Sequence, residues 1–176
     1  MGMLKIDGKV ISKPAKNRGV FGWDKSYTFF FDRLAKGEND LKSSFYSHAW
    51  WHEATNIVGG APLLILNGAI LSFEPEATLE SFLQNKYART AVCIDAHKQL
   101  KLFVVDGGDS KTQELGGGMN MLELATFLLK QGCQNAINLD GGYSSSFVFH
   151  GEKKNRFNLD SLPERPVSTM LLVLPK

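Results

Sequence analysis

The chain has 176 residues, 43% of them hydrophobic, which is enough apolar material for one domain with a sizeable core. Twenty Lys and Arg side chains stand against eighteen Asp and Glu, a formal charge of +2, which argues against a nucleic-acid or membrane surface and for a small partner. No apolar run reaches membrane-spanning length and residues 1–7 carry no export leader, so the chain as written reads as soluble and cytoplasmic, or as exported if an N-terminal segment is missing.

In chain order, Ile6-Asp7-Gly8-Lys9-Val10-Ile11 predicts two short strands around an Asp-Gly turn. The segment from Gly19 to Asp24, followed by Tyr27-Thr28-Phe29-Phe30-Phe31, predicts a second hairpin. Phe45, Tyr46, Trp50 and Trp51 then crowd one stretch with His48 and His52; the aromatics suit a sugar-stacking wall and a core equally well. The i, i+4 histidines have no third ligand close by and are assigned to packing or solvent. Leu63-Leu64-Ile65-Leu66 is too apolar to face water and reads as a central strand, with Asn67-Gly68 turning the chain into its neighbour. Pro75 opens a predicted helix that places Leu79, Phe82, Leu83 and Tyr87 on one face, with Glu76 and Glu80 favouring its N-terminal half through the dipole.

Residues 89–95 and 100–106 form a further predicted hairpin, which brings Arg89 and Asp106 to the same end. Such a pair is either a surface salt bridge or a phosphate-binding arginine facing a catalytic acid. Asn120 caps a predicted helix from Met121 to Gln131, with Glu123 as its capping-box partner rather than a catalyst and Gly132 as its stop. Leucines around most of that helix predict deep burial. Cys93 and Cys133 lack Cys-x-x-Cys spacing, which argues against zinc; they are read as buried free thiols, with a disulfide left open.

The most informative stretch is Ala136-Ile137-Asn138-Leu139-Asp140-Gly141-Gly142-Tyr143-Ser144-Ser145-Ser146. An apolar strand ends on a carboxylate, two glycines allow a sharp turn with open amides, and three hydroxyls follow. Asp140 suits a base, a nucleophile or an electrostatic partner for developing positive charge. Asn138, two residues earlier, shares its strand face. Residues 167–174 predict a closing strand, introduced by Arg165, which either solvates its loop or reaches the site. The sum is one α+β domain over residues 1–176, with a mixed or antiparallel sheet and two principal helices.

An ordered series of short pieces resembles the phosphodiester glycosidase family: Gly60-Ala61-Pro62-Leu63, Arg89-Thr90-Ala91-Val92, Val104-Val105-Asp106-Gly107, Leu122-Glu123-Leu124-Ala125, Asn138-Leu139-Asp140-Gly141-Gly142 and Arg165-Pro166-Val167. They run from about Gly60 to the C-terminus. The resemblance implies hydrolysis of the bond between a sugar and a 1-phosphodiester, with an N-acetylglucosamine-1-phosphodiester-like substrate. It implies catalytic roles for Asp140 and Asp106, and substrate binding by Arg89, Asn138, Gly141, Gly142, Ser144, Ser145 and Arg165. No cofactor is expected, although a divalent cation on Asp106, Asp140 and Asn138 would turn the same groups into a metal-dependent phosphodiesterase. A non-catalytic carbohydrate-binding relative is the other alternative, and oligomeric state is left open. The chain departs from the family pattern at Tyr143, where a third glycine is usual, at Ser146, where threonine is usual, and at Gly108, where arginine is frequent. It also starts after the family's usual first segment.

Overall fold

The computed structural model describes residues 2–76, 78–107, 117–155 and 166–174. Strands β1 (Leu4–Ile6), β2 (Lys9–Ser12), β3 (Arg18–Trp23), β4 (Phe29–Lys36), β5 (Leu41–Ser43) and β6 (Asn56–Gly59) make one sheet, in the order β2-β1-β6-β3-β4-β5. A second sheet holds β7 (Leu63–Leu66), β8 (Ala69–Ile70), β9 (Arg89–Asp95), β10 (Leu100–Val105) and β11 (Cys133–Asn138), in the order β10-β9-β11-β7-β8. Every pairing in both sheets is antiparallel. The helices are α1 (Glu80–Gln84) and α2 (Met121–Lys130), and a small hairpin, β12 (Val148–Phe149) with β13 (Glu152–Lys153), follows.

Period-two alternation explains the layering. Phe21, Phe31, Leu63, Val92, Ile94 and Ile137 meet between the sheets. Their neighbours in sequence point the other way: Val20 and Phe30 join a cluster with Trp50 and Trp51, while Leu64, Cys93 and Ala136 pack under α2. Strands buried on both faces carry continuous apolar runs, and Leu63–Leu66 is such a strand. The aromatic stretch is therefore core: Trp50 is fully buried and stacks on Phe30 at 4.8 Å, and its indole Nε1 donates to Asp32 at 2.9 Å.

Four expectations change. The helix predicted from Pro75 breaks into a 3-10 turn (Glu74–Glu76) and the five-residue α1, with Leu79 76% exposed. The cause is Glu76, whose fully buried carboxylate accepts from the Gly19 and Leu63 amides and from Arg33 Nε, each at 2.7 Å, instead of facing a helix dipole. Residues 167–174 form no strand. Leu171 to Leu174 instead line one open pocket with Phe21, Trp23, Phe29 and Leu100, with Leu172, Val173 and Leu174 exposed, because a β-prone run becomes a strand only when a partner pairs with it. On α2 the buried set is Met121, Leu124, Ala125 and Leu128, at i, i+3, i+4 and i+7; Leu122 is exposed, so the helix is amphipathic rather than enclosed. Cys93 and Cys133 are joined in a disulfide between β9 and β11, with Cα atoms 5.8 Å apart, and are not free thiols. Among the described residues, no helix is long and apolar enough to cross a membrane.

Candidate active site

Strand register assembles the site. Val105 pairs with Arg89 across β10 and β9, and Asn138 pairs with Ala91 across β11 and β9. The β11–β9 ladder continues past the strand end, with Leu139 N donating to Thr90 O at 2.8 Å and Gly142 N to Ala88 O at 2.8 Å. Asp140 falls between those two bonds, opposite Arg89. The same end of the second sheet thus carries Arg89, Asp106, Asn138 and Asp140, three adjacent strands contributing to one rim.

Arg89 is fully buried. Its Nε donates to Met119 O at 2.8 Å, and its Nη2 donates to Phe82 O and Asn85 O, each at 2.9 Å. The guanidinium carbon lies 4.8 Å from the Phe82 ring centre and 5.2 Å from that of Tyr87. Burial lowers its pKa to about 10, which still leaves it charged at neutral pH. Most of its fork is committed to main chain; Nη1 alone is buried without a partner among the described residues. The surface salt-bridge reading of Arg89 is therefore excluded by its burial.

Asn138 is fully buried too, and its Nδ2 donates to Ala61 O and Leu139 O at 2.6 Å each. Ala61 N returns a bond to Asn138 O at 2.9 Å. The approach is close enough that a side chain at Gly60 would place its Cβ 2.3 Å from Asn138 O, so only glycine fits there. Asn138 Oδ1 is left buried and unpartnered. A buried donor and a buried acceptor thus stay open on neighbouring strands, and such groups are costly unless something completes them.

Asp140 is exposed, and its Oδ1 accepts from Gly141 N at 2.9 Å. Gly142 takes φ +60° and opens a 3-10 turn (Gly142–Ser144), with open space where a Cβ would stand. The expectation of free amides at this turn is corrected: Gly141 N is held by Asp140 and Gly142 N by Ala88. Their contribution is shape, and the nearest unpartnered donor described at this rim is Arg89 Nη1. Ser144 is half-buried on the turn. Ser145 points inward, 3% exposed, and its hydroxyl accepts from Thr90 Oγ1 at 3.1 Å, so it braces the turn against β9 instead of facing substrate. Asp106 is exposed at the end of β10. Arg165 and Gly108 lie outside the described residues.

Glu123 completes the capping box with Asn120 and pairs with Lys86 at 2.9 Å, which fixes it as a structural group. His52 pairs with Asp40 at 2.8 Å and His48 packs edge-on to Tyr46. Among the described residues, no three His, Cys, Asp or Glu side chains gather into a metal-sized cluster. Two residues that the sequence reading gave no role matter here. Thr90 supplies the brace to Ser145, and Asn155, from what reads as a charged loop, donates through Nδ2 to Ser145 O at 3.0 Å and accepts from Phe147 N at 2.6 Å.

Known proteins give this geometry a family. Human N-acetylglucosamine-1-phosphodiester alpha-N-acetylglucosaminidase is 41% identical over 105 residues, covering 54% of this chain and 19% of that protein. The bovine protein of the same name is 43% identical over the same length. The chain thus spans about a fifth of the length of these curated relatives. Among solved structures, the zebrafish N-acetylglucosamine-1-phosphodiester alpha-N-acetylglucosaminidase catalytic domain, auto-inhibited by pro-peptide, matches with a TM-score of 0.64 at 27% identity, covering 88% of this chain and 50% of that one. A hypothetical protein from Synechocystis shares the fold, with a TM-score of 0.73 at 18% identity over 90% of this chain and 46% of that one. The model of the phosphodiester glycosidase family matches residues 1–174, including the first third, where no motif signalled it, and the chain belongs to that family.

Proposed function

We propose that this chain hydrolyses the glycosidic bond of a sugar 1-phosphodiester, with N-acetylglucosamine 1-phosphodiesters as the first substrates to try. The observation that carries the reading is the pair of buried, unpartnered atoms, Arg89 Nη1 on β9 and Asn138 Oδ1 on the adjacent β11, with Asp140 two residues beyond Asn138. A cationic donor suits a phosphate oxygen, and a neutral acceptor suits a sugar hydroxyl or acetamido N–H.

The chemistry matches this division of groups. Cleavage breaks the bond from the anomeric carbon to the bridging oxygen, and its electron pair leaves with a phosphate monoester whose second ionisation lies near pKa ~6. Such a leaving group departs with little protonation. The site must then hold the phosphate and stabilise oxocarbenium-like charge on the sugar. Arg89 holds the phosphate through Nη1, Asn138 orients the sugar, and Asp140 faces the anomeric centre, with Asp106 as the second carboxylate of the rim.

The test is hydrolysis of a panel of sugar 1-phosphodiesters by the chain and its Asp140→Ala variant, with and without chelator. Release of reducing sugar that survives chelation and falls by about a thousandfold in the variant supports the reading. Loss of activity on chelation indicates a metal-dependent phosphodiesterase, and sugar binding without turnover by folded protein indicates a binding relative.

A further inference from the structure

The run from Val167 to Leu174 carries its apolar side chains in water: Met170 is 74% exposed, Leu172 66%, Val173 71% and Leu174 75%. Among the described residues, none of its main-chain N–H or C=O groups is hydrogen-bonded to another protein group. The run lacks cover for its side chains and partners for its amides at once, and an interface supplies both. We infer that residues 170–174 are a homodimer interface, pairing as an antiparallel strand with the same residues of a second copy.

The chemistry of the run selects the partner. Residues 167–174 include no charged side chain, so neither a nucleic acid nor a strongly charged protein surface finds a complement there. A bilayer would cover the side chains but leave the main-chain groups unpaired in hydrocarbon, which does not tolerate them. Another strand satisfies both. Within the chain, the run shares a pocket with only Leu100 of the open edge of β10, while residues 102–104 of that edge share a cavity with Phe147, Lys154 and Asn155.

The run is its own complement. A twofold axis normal to the paired strands and passing beside Leu172 sets Leu172 opposite Leu172 of the second copy. The same axis sets Met170 opposite Leu174 and Leu171 opposite Val173, so every facing pair is apolar. A ladder of about five residues is an ordinary strand length, and Pro175, which has no N–H, ends it. Tyr27, 64% exposed, lines the same pocket as residues 171–174 and is covered with them. Burying the exposed parts of these side chains removes roughly 450 Å² per copy from water. With the main chain added, the two copies reach roughly 1,000 Å² in total, the lower end of a specific interface, so the dimer should be weak and concentration-dependent.

The test is the mass of the chain in solution, by sedimentation over a range of concentrations, beside Leu172→Glu and Leu172→Lys. Position 172 is exposed, so both variants should keep the fold. The parent chain should pass from monomer to dimer as concentration rises, and the amides of residues 170–174 should gain hydrogen-exchange protection with it. Each variant sets two like charges face to face and should raise the dissociation constant by about a hundredfold. Mixing the two variants should restore the dimer, because self-pairing brings position 172 opposite itself. A monomer at every concentration overturns the interface, whether it binds lipid vesicles, protects those amides by pairing within the chain, or does neither. A dimer unchanged by both variants places the contact elsewhere, and a mixture that stays monomeric rejects the self-paired strand.

Discussion

Arg89 holds the protein together before it meets any ligand. Its bonds to Phe82 O, Asn85 O and Met119 O join α1, β9 and the strand-like bridge between Met119 and Tyr87. Lysine keeps the charge but has no planar fork, so Arg89→Lys should lower unfolding stability by about 2 kcal/mol, seen as a lower urea midpoint at unchanged slope. It should also weaken phosphodiester binding. An unchanged midpoint would mean that the carbonyl contacts contribute nothing, leaving Arg89 a ligand group alone. That Arg89 and Asp106 share one end of a hairpin was legible from spacing, but the bonding of Arg89, Asn138 and Asp140 was not. Gly142 N finds Ala88 O and Asn138 finds Ala61 O across long stretches of chain, and only the register of β9, β11 and the Gly60 loop decides which amides remain open.

Elements whose determinants are local could be read directly. The Asn120 cap, the Asn67-Gly68 turn and the β9–β10 hairpin each depend on residues a few positions apart, and each is where the pattern placed it. The stretch after Pro75 escaped because the partners of Glu76, namely Gly19, Arg33 and Leu63, are distant in sequence and outweigh helix propensity. For α2, Asn120→Ala should cost about 1 kcal/mol in urea unfolding. The Glu123 carboxyl titrates below its ordinary range because the Asn120 amide and then Lys86 favour its ionised form. A depressed carboxyl contributes stability above its unfolded pKa and loses it as pH falls through the folded value. Glu123→Gln should therefore lower the urea midpoint at pH 7 and leave it nearly unchanged at low pH, once the native carboxyl is protonated. A deficit that persists unchanged in acid would refute the electrostatic origin.

Across the whole molecule, the Glu76 carboxylate is a knot between the two sheets. It receives Arg33 and Gly19 from the first sheet and Leu63 from the second, in a site closed to water. Removing it leaves the Arg33 guanidinium buried without its counter-charge, so Glu76→Ala should cost about 3–5 kcal/mol, a large share of a typical domain's stability. The double variant Arg33→Met, Glu76→Leu should recover much of that loss in thermal unfolding; no recovery would place the damage in the vacated amides rather than the stranded cation. The Cys93–Cys133 bond acts on a different coordinate. A one-residue slide of β11 along β9 would invert every side chain of β11 and turn Asn138 from the α2 side into the space between the sheets. A covalent rung between those two strands forbids the slide, so the alignment of Asn138 and Asp140 with Arg89 is fixed like the setting of a ratchet and need not be found anew with each substrate.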